Sequence, residues 1–275
     1  MNLDNLIGLL DYPPNIEQAV RSEIENNEEA IGRIAETAYT GEDFDFALLK
    51  YDPEICLTVV TYLLVNQYHV YKAKGVPDTI IMDTFRDVTL RAKLYYQKNG
   101  KAGITQDDVL WFRHIMNGNI FKIGPLQYQA FEMIYLDEET IGEPYMEFSE
   151  SQKRSLPAGS PVINIHIPHG ADLNNALVSA SLDGAKKLLA ALFPHTRYNA
   201  FLCYSWLLYP PMVNCLSEKS NIRQFAERFH IIGACDDSEQ ALENLQGDRE
   251  TKLVKMVKNH EHLLGFACGV MKLDT

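Results

Sequence analysis

Residues 162–170 read Val-Ile-Asn-Ile-His-Ile-Pro-His-Gly, and this stretch decides the fold. Alternation of apolar and polar side chains over Val162–Ile167 predicts a strand, and the Pro168-His169-Gly170 turn ends it. The apolar pattern of Asn175–Phe193 then predicts a helix. Such a helix aims its first N–H groups beyond the end of the strand, which is an arrangement that binds phosphate. The alternative is an ordinary strand-to-helix connection, capped by Asp172 or Asn174.

The pattern on both sides of this unit predicts an α/β (α+β) domain that begins near residue 118. A hairpin comes first, then a polar loop, and after the central unit strands alternate with helices. The predicted strands are Ile120–Ile123, Leu126–Leu136, Ala200–Leu208, His230–Ala234 and Leu263–Met271; the loop is Asp137–Gly159; the added helices run from Ser220 to Phe229 and over Glu250–Asn259.

The first 117 residues predict a helical N-terminal bundle. The segment Ile16–Tyr39 has one apolar stripe and is expected to be an amphipathic helix. The segments Ile55–Lys74 and Thr79–Lys98 are apolar on all sides, so they are expected at the centre of the bundle. A capped helix over Val109–Met116 ends the domain. We therefore expect domains at residues 1–117 and 118–275.

The net charge of -12 argues against a nucleic-acid partner. Residues 1–60 hold 13 acidic and 3 basic residues, and residues 61–275 hold 24 acidic and 22 basic residues, so neither part has the basic excess that duplex binding needs. A small anionic ligand is still compatible with this charge, because a few backbone amides suffice locally.

No apolar run approaches the roughly 20 residues that span a bilayer, and the N-terminus lacks the features of a secretory signal. Five cysteines without CxxC spacing predict reduced thiols, so we expect a cytoplasmic protein without membrane association. No metal site is expected: His260 and His262 are too close together for an i, i+4 ligand pair, and a solvated face is the simpler interpretation.

Three ordered stretches resemble a bacterial acyltransferase family that joins a helical N-terminal domain to a GNAT-like C-terminal domain. They are Ile163–Gly170 (INIHIPHG), Phe201–Leu208 (FLCYSWLL), and Ser220–Phe229 (SNIRQFAERF). The Gly124–Tyr128 segment (GPLQY) resembles the hairpin of these relatives. Three motifs in the same order are moderately specific, and together they cover about Asn117 to Phe229.

The resemblance implies acyl-CoA chemistry in the GNAT-type N-acyltransferase superfamily. In such a fold, two central parallel strands splay, pantetheine passes between them, and the pyrophosphate lies on the following turn. The strands would be those containing Ile163 and Phe201. The residues that would contact acetyl-CoA or another acyl-CoA are Ile165, Ile167, His169, Gly170, Ala171, Asn174 and Asn221. The usual Q/R-x-x-G-x-G/A pyrophosphate motif is absent, and Asp172 has the wrong charge for this turn unless it faces away as a cap.

Four side chains are candidates for the catalytic acid and base. Strand alternation puts His166 on a polar face with Asn164, where it is either a general base or a structural histidine bonded to Asn164 or a backbone carbonyl. Glu132 is a second candidate base, or else a solvated acid. The superfamily's tyrosine acid has no counterpart, because Ala226 aligns with it; Tyr204 and Ser205 are the nearest alternatives. Ser205 lacks the GxSxG turn of hydrolases.

The first interpretation is an acyl-CoA-dependent acyltransferase that transfers an acyl group to an unidentified small-molecule amine or peptide. Acetyl is the favoured acyl group. The alternative is a catalytically degenerate GNAT-like protein that binds a ligand or partner without turnover. The sequence does not indicate the oligomeric state.

Overall fold

The computed structural model describes residues 1–41, 44–137, 146–245, 255 and 263–273. The chain divides into two compact units, Met1–Lys122 and Ile123–Thr275. No described helix combines the length and the apolar composition that a bilayer-spanning segment needs.

The first unit is helical. Its helices are α1 (Leu3–Leu9), α2 (Pro14–Thr37), α3 (Pro53–Ala73), α4 (Asp78–Asn99) and α5 (Gln106–Met116), with a 3₁₀ turn at Ala47–Lys50. Four of these were predicted; α1 was not, and it begins where the Asn2 side chain caps the amide of Asn5. Thr105 and Asp108 form a capping box that starts α5.

The core of the first unit is centred on α3, which packs against α1, α2, α4 and α5. This agrees with the predicted central position of the helix over Ile55–Lys74, which is α3. A buried charge network joins α4 to α5: Arg91 contacts Asp108 at 2.6 Å and Asp87 at 3.3 Å. The Trp111 indole also donates to Asp87, at 2.7 Å. Both carboxylates therefore have hydrogen-bond partners, and they share the single positive charge of Arg91.

The second unit is a mixed sheet with helices. Strand β1 (Ile120–Ile123) spans the division of the chain. The remaining elements are β2 (Leu126–Glu132), α6 (Glu150–Ser155), β3 (Pro161–His166), α7 (Asn175–Leu192), β4 (Ala200–Ser205), α8 (Pro210–Cys215), α9 (Asn221–Ala226), β5 (His230–Cys235), α10 (Glu239–Leu245) and β6 (Phe266–Lys272).

Six strands form one sheet in the order β1-β2-β3-β4-β6-β5 among the described residues. Strands β3 and β4 are parallel, and the pairs β2–β3, β4–β6 and β5–β6 are antiparallel. The predicted fold class, a helical N-terminal bundle followed by a mixed sheet flanked by helices, is confirmed.

Several boundaries predicted from sequence were wrong. Strand β2 ends at Glu132 rather than Leu136. The predicted loop over residues 137–159 contains α6, which starts at a capping box formed by Ser149 and Gln152. Strand β4 ends at Ser205 rather than Leu208, since the Ser205 side chain accepts from the Leu207 amide and starts a 3₁₀ turn. The short helices α8 and α10 were not predicted. The predicted helix over residues 250–259 lies outside the described residues except for Lys255.

The two faces of the central strands have different environments. Helix α7 packs on the face that carries Tyr128, whose hydroxyl lies 2.7 Å from the Ser181 hydroxyl. Ile163, Ile165 and Phe201 share that face by strand alternation and are buried. The opposite face carries Asn164 and His166, together with Gln127 and Gln129, which lie opposite them on β2. One face is therefore apolar and helix-covered, whereas the other carries a row of amides.

Candidate active site

The parallel strands β3 and β4 separate after three residue pairs. The pairs are Val162–Ala200, Ile163–Phe201 and Asn164–Leu202. Beyond them, β3 still pairs with β2 as far as His166, and β4 still pairs with β6 as far as Ser205. Both strands thus continue, and each stays paired with its outer neighbour, but β3 and β4 no longer pair with each other. We call this opening the split, and Asn164 and Leu202 mark its inner end.

The split leaves backbone hydrogen-bonding groups on two facing strand edges. A strand edge that is not paired in a ladder presents N–H and C=O groups to whatever lies beside it. Those of Ile165 and His166 on β3 face those of Cys203 to Ser205 on β4. An extended ligand with amide groups of its own is the kind of molecule that fits between such edges.

His166 lies at the split within a cluster of amide side chains. Its Nε2 is 3.1 Å from Gln129 Oε1 and 3.2 Å from Asn164 Nδ2. In one tautomer the ring donates to Gln129, and in the other it accepts from Asn164. The ring is half-buried, whereas Gln127, Gln129 and Asn164 are buried. The polar partner expected of a structural histidine is present, and the half-exposed position at the split is the one that a general base requires.

Tyr204 stands on the opposite side of the split from His166. Continuing the register past Asn164–Leu202 would place the two residues opposite each other on the same face. The Tyr204 hydroxyl donates to the Ile134 carbonyl at 2.6 Å. Burial raises the pKa of Tyr204 far above its ordinary value, and the neighbouring Cys268 adds to this effect. Tyr204 is therefore protonated at neutral pH, but its proton is directed at the Ile134 carbonyl and the raised pKa weakens it as a proton donor.

Ser205 and Glu132 do not join this arrangement. The Ser205 side chain accepts from the Leu207 amide at 3.1 Å, so its geometry is that of a turn cap. Glu132 is exposed and pairs with Pro161, five residues along β2 from the position opposite His166. At the usual strand rise of about 3.4 Å per residue, that distance is roughly 17 Å. Alternation also points Glu132 to the other face.

The turn after β3 is exposed and ends in a capped helix. Gly170 has φ of 72°, and a Cβ built there would touch nothing within 4 Å. Asn174 is the cap of α7, because its side chain accepts from the Ala176 amide at 3.0 Å. Asp172 accepts from the Asn174 amide at 3.0 Å, so it is a cap within the turn, and its negative charge stays next to the start of α7.

The other predicted ligand contacts lie around this turn or on α9. Ile165 is buried opposite Tyr128 on β2, Ile167 directly follows β3, and His169 is exposed within the turn. Ala171 closes the turn through its amide, which donates to the Pro168 carbonyl at 3.1 Å. Asn221 is the exposed first residue of α9.

Arg228 is a residue at this site that the sequence analysis did not select. Its Nη2 donates to the Asn175 carbonyl at 3.1 Å, to the Asn175 side chain, and to the Ser179 hydroxyl at 2.8 Å. Within the described part of the chain, Nε and Nη1 have no protein partner. The guanidinium thus adds a positive charge to the positive end of α7, whose first turn holds no acidic residue. The signal was available, because Arg228 belongs to the quoted stretch Ser220–Phe229.

Residues 120–263, just over half of the chain, match the family model of the GNAT-like C-terminal domain. The chain belongs to this family. Residues 1–118 match the model of the N-acyltransferase N-terminal domain. The resemblance found in the sequence is thereby confirmed, and the protein is an acyltransferase. None of the curated proteins compared with the chain matches it.

The fold of this GNAT-like protein is similar to that of solved acyltransferases. A complex with decanoyl-CoA and teicoplanin has 17% identity and a TM-score of 0.71, covering 99% of this chain and 88% of that chain. A complex with decanoyl-CoA has 18% identity and a TM-score of 0.72, with coverage of 99% and 88%. A mutant bound to octanoyl-CoA has 16% identity and a TM-score of 0.71, with coverage of 98% and 87%.

Among the residues that the structure describes, no group of three or more His, Cys, Asp or Glu side chains could hold a metal ion. His260 and His262 lie outside the residues described.

Proposed function

We propose that the protein transfers an acyl group from acyl-CoA to a primary amine of a small molecule or peptide, and that residues 118–275 carry this reaction. The observation that carries the proposal is the split between β3 and β4. The two amides of pantetheine pair with the facing strand edges, as an added strand would. Solved relatives of the same fold bind decanoyl-CoA, octanoyl-CoA and CoA, which supports this donor.

The pyrophosphate of the donor lies at the turn after β3 and at the start of α7. The amides of the first helical turn and the Arg228 guanidinium supply hydrogen bonds and positive charge to it. Exposed His169 and Gly170 border the same place, with Ala171 and Asn174 beside them. Asn221, on the neighbouring helix α9, borders the site as well.

Catalysis follows from bringing the two substrates together at the split. The amine nitrogen attacks the thioester carbonyl carbon, the carbon–sulfur bond breaks, and CoA leaves. His166 accepts the proton that the amine loses. Tyr204 across the split supplies a proton to the departing thiolate after its hydroxyl turns away from the Ile134 carbonyl. A backbone N–H of β3 stabilises the oxyanion. In this scheme neither Glu132 nor Ser205 takes part in the proton transfers.

The acyl length and the acceptor are the finer parts of the proposal. The sequence favoured an acetyl donor, whereas solved relatives carry eight- and ten-carbon chains. The teicoplanin complexes of these relatives support a small-molecule acceptor. All five cysteines are free thiols, which agrees with the reducing cytoplasm that we propose as the location.

Donor binding tests the proposal directly. Calorimetry with acetyl-CoA, octanoyl-CoA and decanoyl-CoA should show binding, and thiol release with an amine panel of benzylamine, ethanolamine and teicoplanin should show turnover. Arg228→Gln is expected to weaken acyl-CoA binding at least tenfold, about 1.4 kcal/mol, because it removes a charged phosphate contact.

Arg223→Gln is the matched control. Arg223 lies on α9, five residues ahead of Arg228, but it bonds Glu227 and the Leu216 carbonyl instead of α7. It should leave acyl-CoA affinity unchanged. An equal loss of acyl-CoA affinity in both variants would mean that Arg228 does not contact the donor. A wild-type protein that binds none of the three donors would contradict the proposed function.

A further inference from the structure

Two buried amide atoms in the polar row have no hydrogen-bond partner among the described residues. They are Gln127 Nε2, a donor, and Asn164 Oδ1, an acceptor. Their residues are only 1% and 7% exposed. Buried polar atoms of native proteins are nearly always paired, so each exception needs an explanation.

The position of Asn164 gives its unpaired atom a particular meaning. Asn164 belongs to the last residue pair between β3 and β4, at the inner end of the split. The Nδ2 atom of the same planar amide lies 3.2 Å from His166 Nε2. An unpaired acceptor therefore lies beside the candidate base, at the place where the two strands part.

A neutral primary amine has two N–H donors and one lone pair. To attack a thioester, it must direct the lone pair at the carbonyl carbon, so both N–H groups need acceptors elsewhere. One N–H loses its proton to the base. The second N–H stays on the nitrogen and remains in the amide product. An alcohol has a single O–H, and that proton goes to the base.

We propose that Asn164 Oδ1 accepts the second N–H of the nucleophile and so makes the site selective for amines over alcohols. The inference rests on the proposed function, because it needs acyl-CoA in the split. With an amine, the base and Asn164 each accept one N–H. With an alcohol, Asn164 Oδ1 stays unpaired in the reacting complex, and a site that leaves a buried polar group unpaired discriminates against that substrate.

The test compares two acyl-accepting substrates of nearly the same shape, one an amine and the other an alcohol. With decanoyl-CoA as donor, kcat/KM is measured for benzylamine and for benzyl alcohol, and their ratio is the readout. Asn164→Leu, which has nearly the same shape without the acceptor, should lower the amine-to-alcohol ratio at least tenfold, about 1.4 kcal/mol. Asn164→Asp retains an acceptor oxygen and should preserve the preference for the amine.

Two controls separate this role from a structural one. Gln127→Met removes the other unpaired atom, which is a donor and cannot accept an N–H, so the ratio should not change. The melting temperature of Asn164→Leu should stay level or rise, because the variant buries one unpaired acceptor fewer. A lowered melting temperature with an unchanged ratio would mean that Asn164 only supports His166.

The outcomes for the two proposals differ. If Asn164→Leu binds decanoyl-CoA like the wild type and keeps the wild-type ratio, the role of Asn164 is wrong and the proposed function stands. If the wild type neither binds decanoyl-CoA nor releases thiol, the proposed function is wrong and this inference with it. Should Asn164→Leu fail to fold, Asn164→Ser, whose shorter side chain withdraws the acceptor, carries the same expected loss.

Discussion

At the scale of single residues, the role of His166 determines whether the polar face takes part in catalysis. His166→Gln keeps a polar side chain but cannot titrate near neutral pH. If His166 is the base, kcat should fall about 10²- to 10⁴-fold, and the acidic limb of the kcat/KM profile should disappear while acyl-CoA affinity is retained. Measuring kcat against pH and the melting temperature of the same variant checks this.

The control is His195→Gln, since His195 is an exposed histidine between α7 and the start of β4, whereas the split lies at the other end of that strand. It should leave both the rate and the pH profile unchanged. A full kcat for His166→Gln together with a lowered melting temperature would make His166 a structural residue, held by Gln129 and Asn164.

At the scale of elements, the turn between β3 and α7 can be tested through its glycine. Gly170→Val places a branched side chain where φ is 72°, which strains the backbone and blocks close approach of a phosphate. Acyl-CoA affinity should fall at least tenfold, about 1.4 kcal/mol. Gly159→Val meets the same strain at φ of 79° in equally open space, but ahead of β3.

Both valine variants should therefore lose similar stability, and only Gly170→Val should lose affinity in calorimetry. Unchanged acyl-CoA affinity in a folded Gly170→Val protein would mean that the phosphates of acyl-CoA do not bind at this turn. Gly170→Ala, with a single added methyl, is expected to lie between the wild type and the valine variant.

The elements also show which features of the fold can be predicted from the sequence. Alternation predicted β3 and the apolar period predicted α7, because both patterns report which face of an element is buried. Neither pattern reports which strand is the neighbour, so the separation of β3 from β4 could be expected only from the family resemblance. Gln127 and Gln129 were missed for a related reason: polar side chains at alternate positions of β2 suggest a solvated face, whereas the structure buries them.

At the scale of the whole molecule, the sheet consists of two halves, β1-β2-β3 and β4-β6-β5, joined by three residue pairs. The antiparallel pairs β2–β3 and β4–β6 each extend over six residues, twice the length of the central contact. We expect this short central contact, here called the hinge, to open more readily than the two longer ladders beside it, here called the plates.

Ligand binding at this hinge should change the hydrogen exchange of backbone amides on both sides of the split. Without ligand, amide protons on the facing edges beyond Asn164 and Leu202 should exchange with deuterium faster than those within β2–β3 or β4–β6, because no strand protects them. With decanoyl-CoA between the plates, these amides should become protected, and the hinge should stiffen. Equal exchange with and without the donor would place the ligand elsewhere. Protection of these amides by the donor would mean that acyl-CoA pairs with both strand edges, so that a metabolite completes the hydrogen bonding of the protein's own sheet.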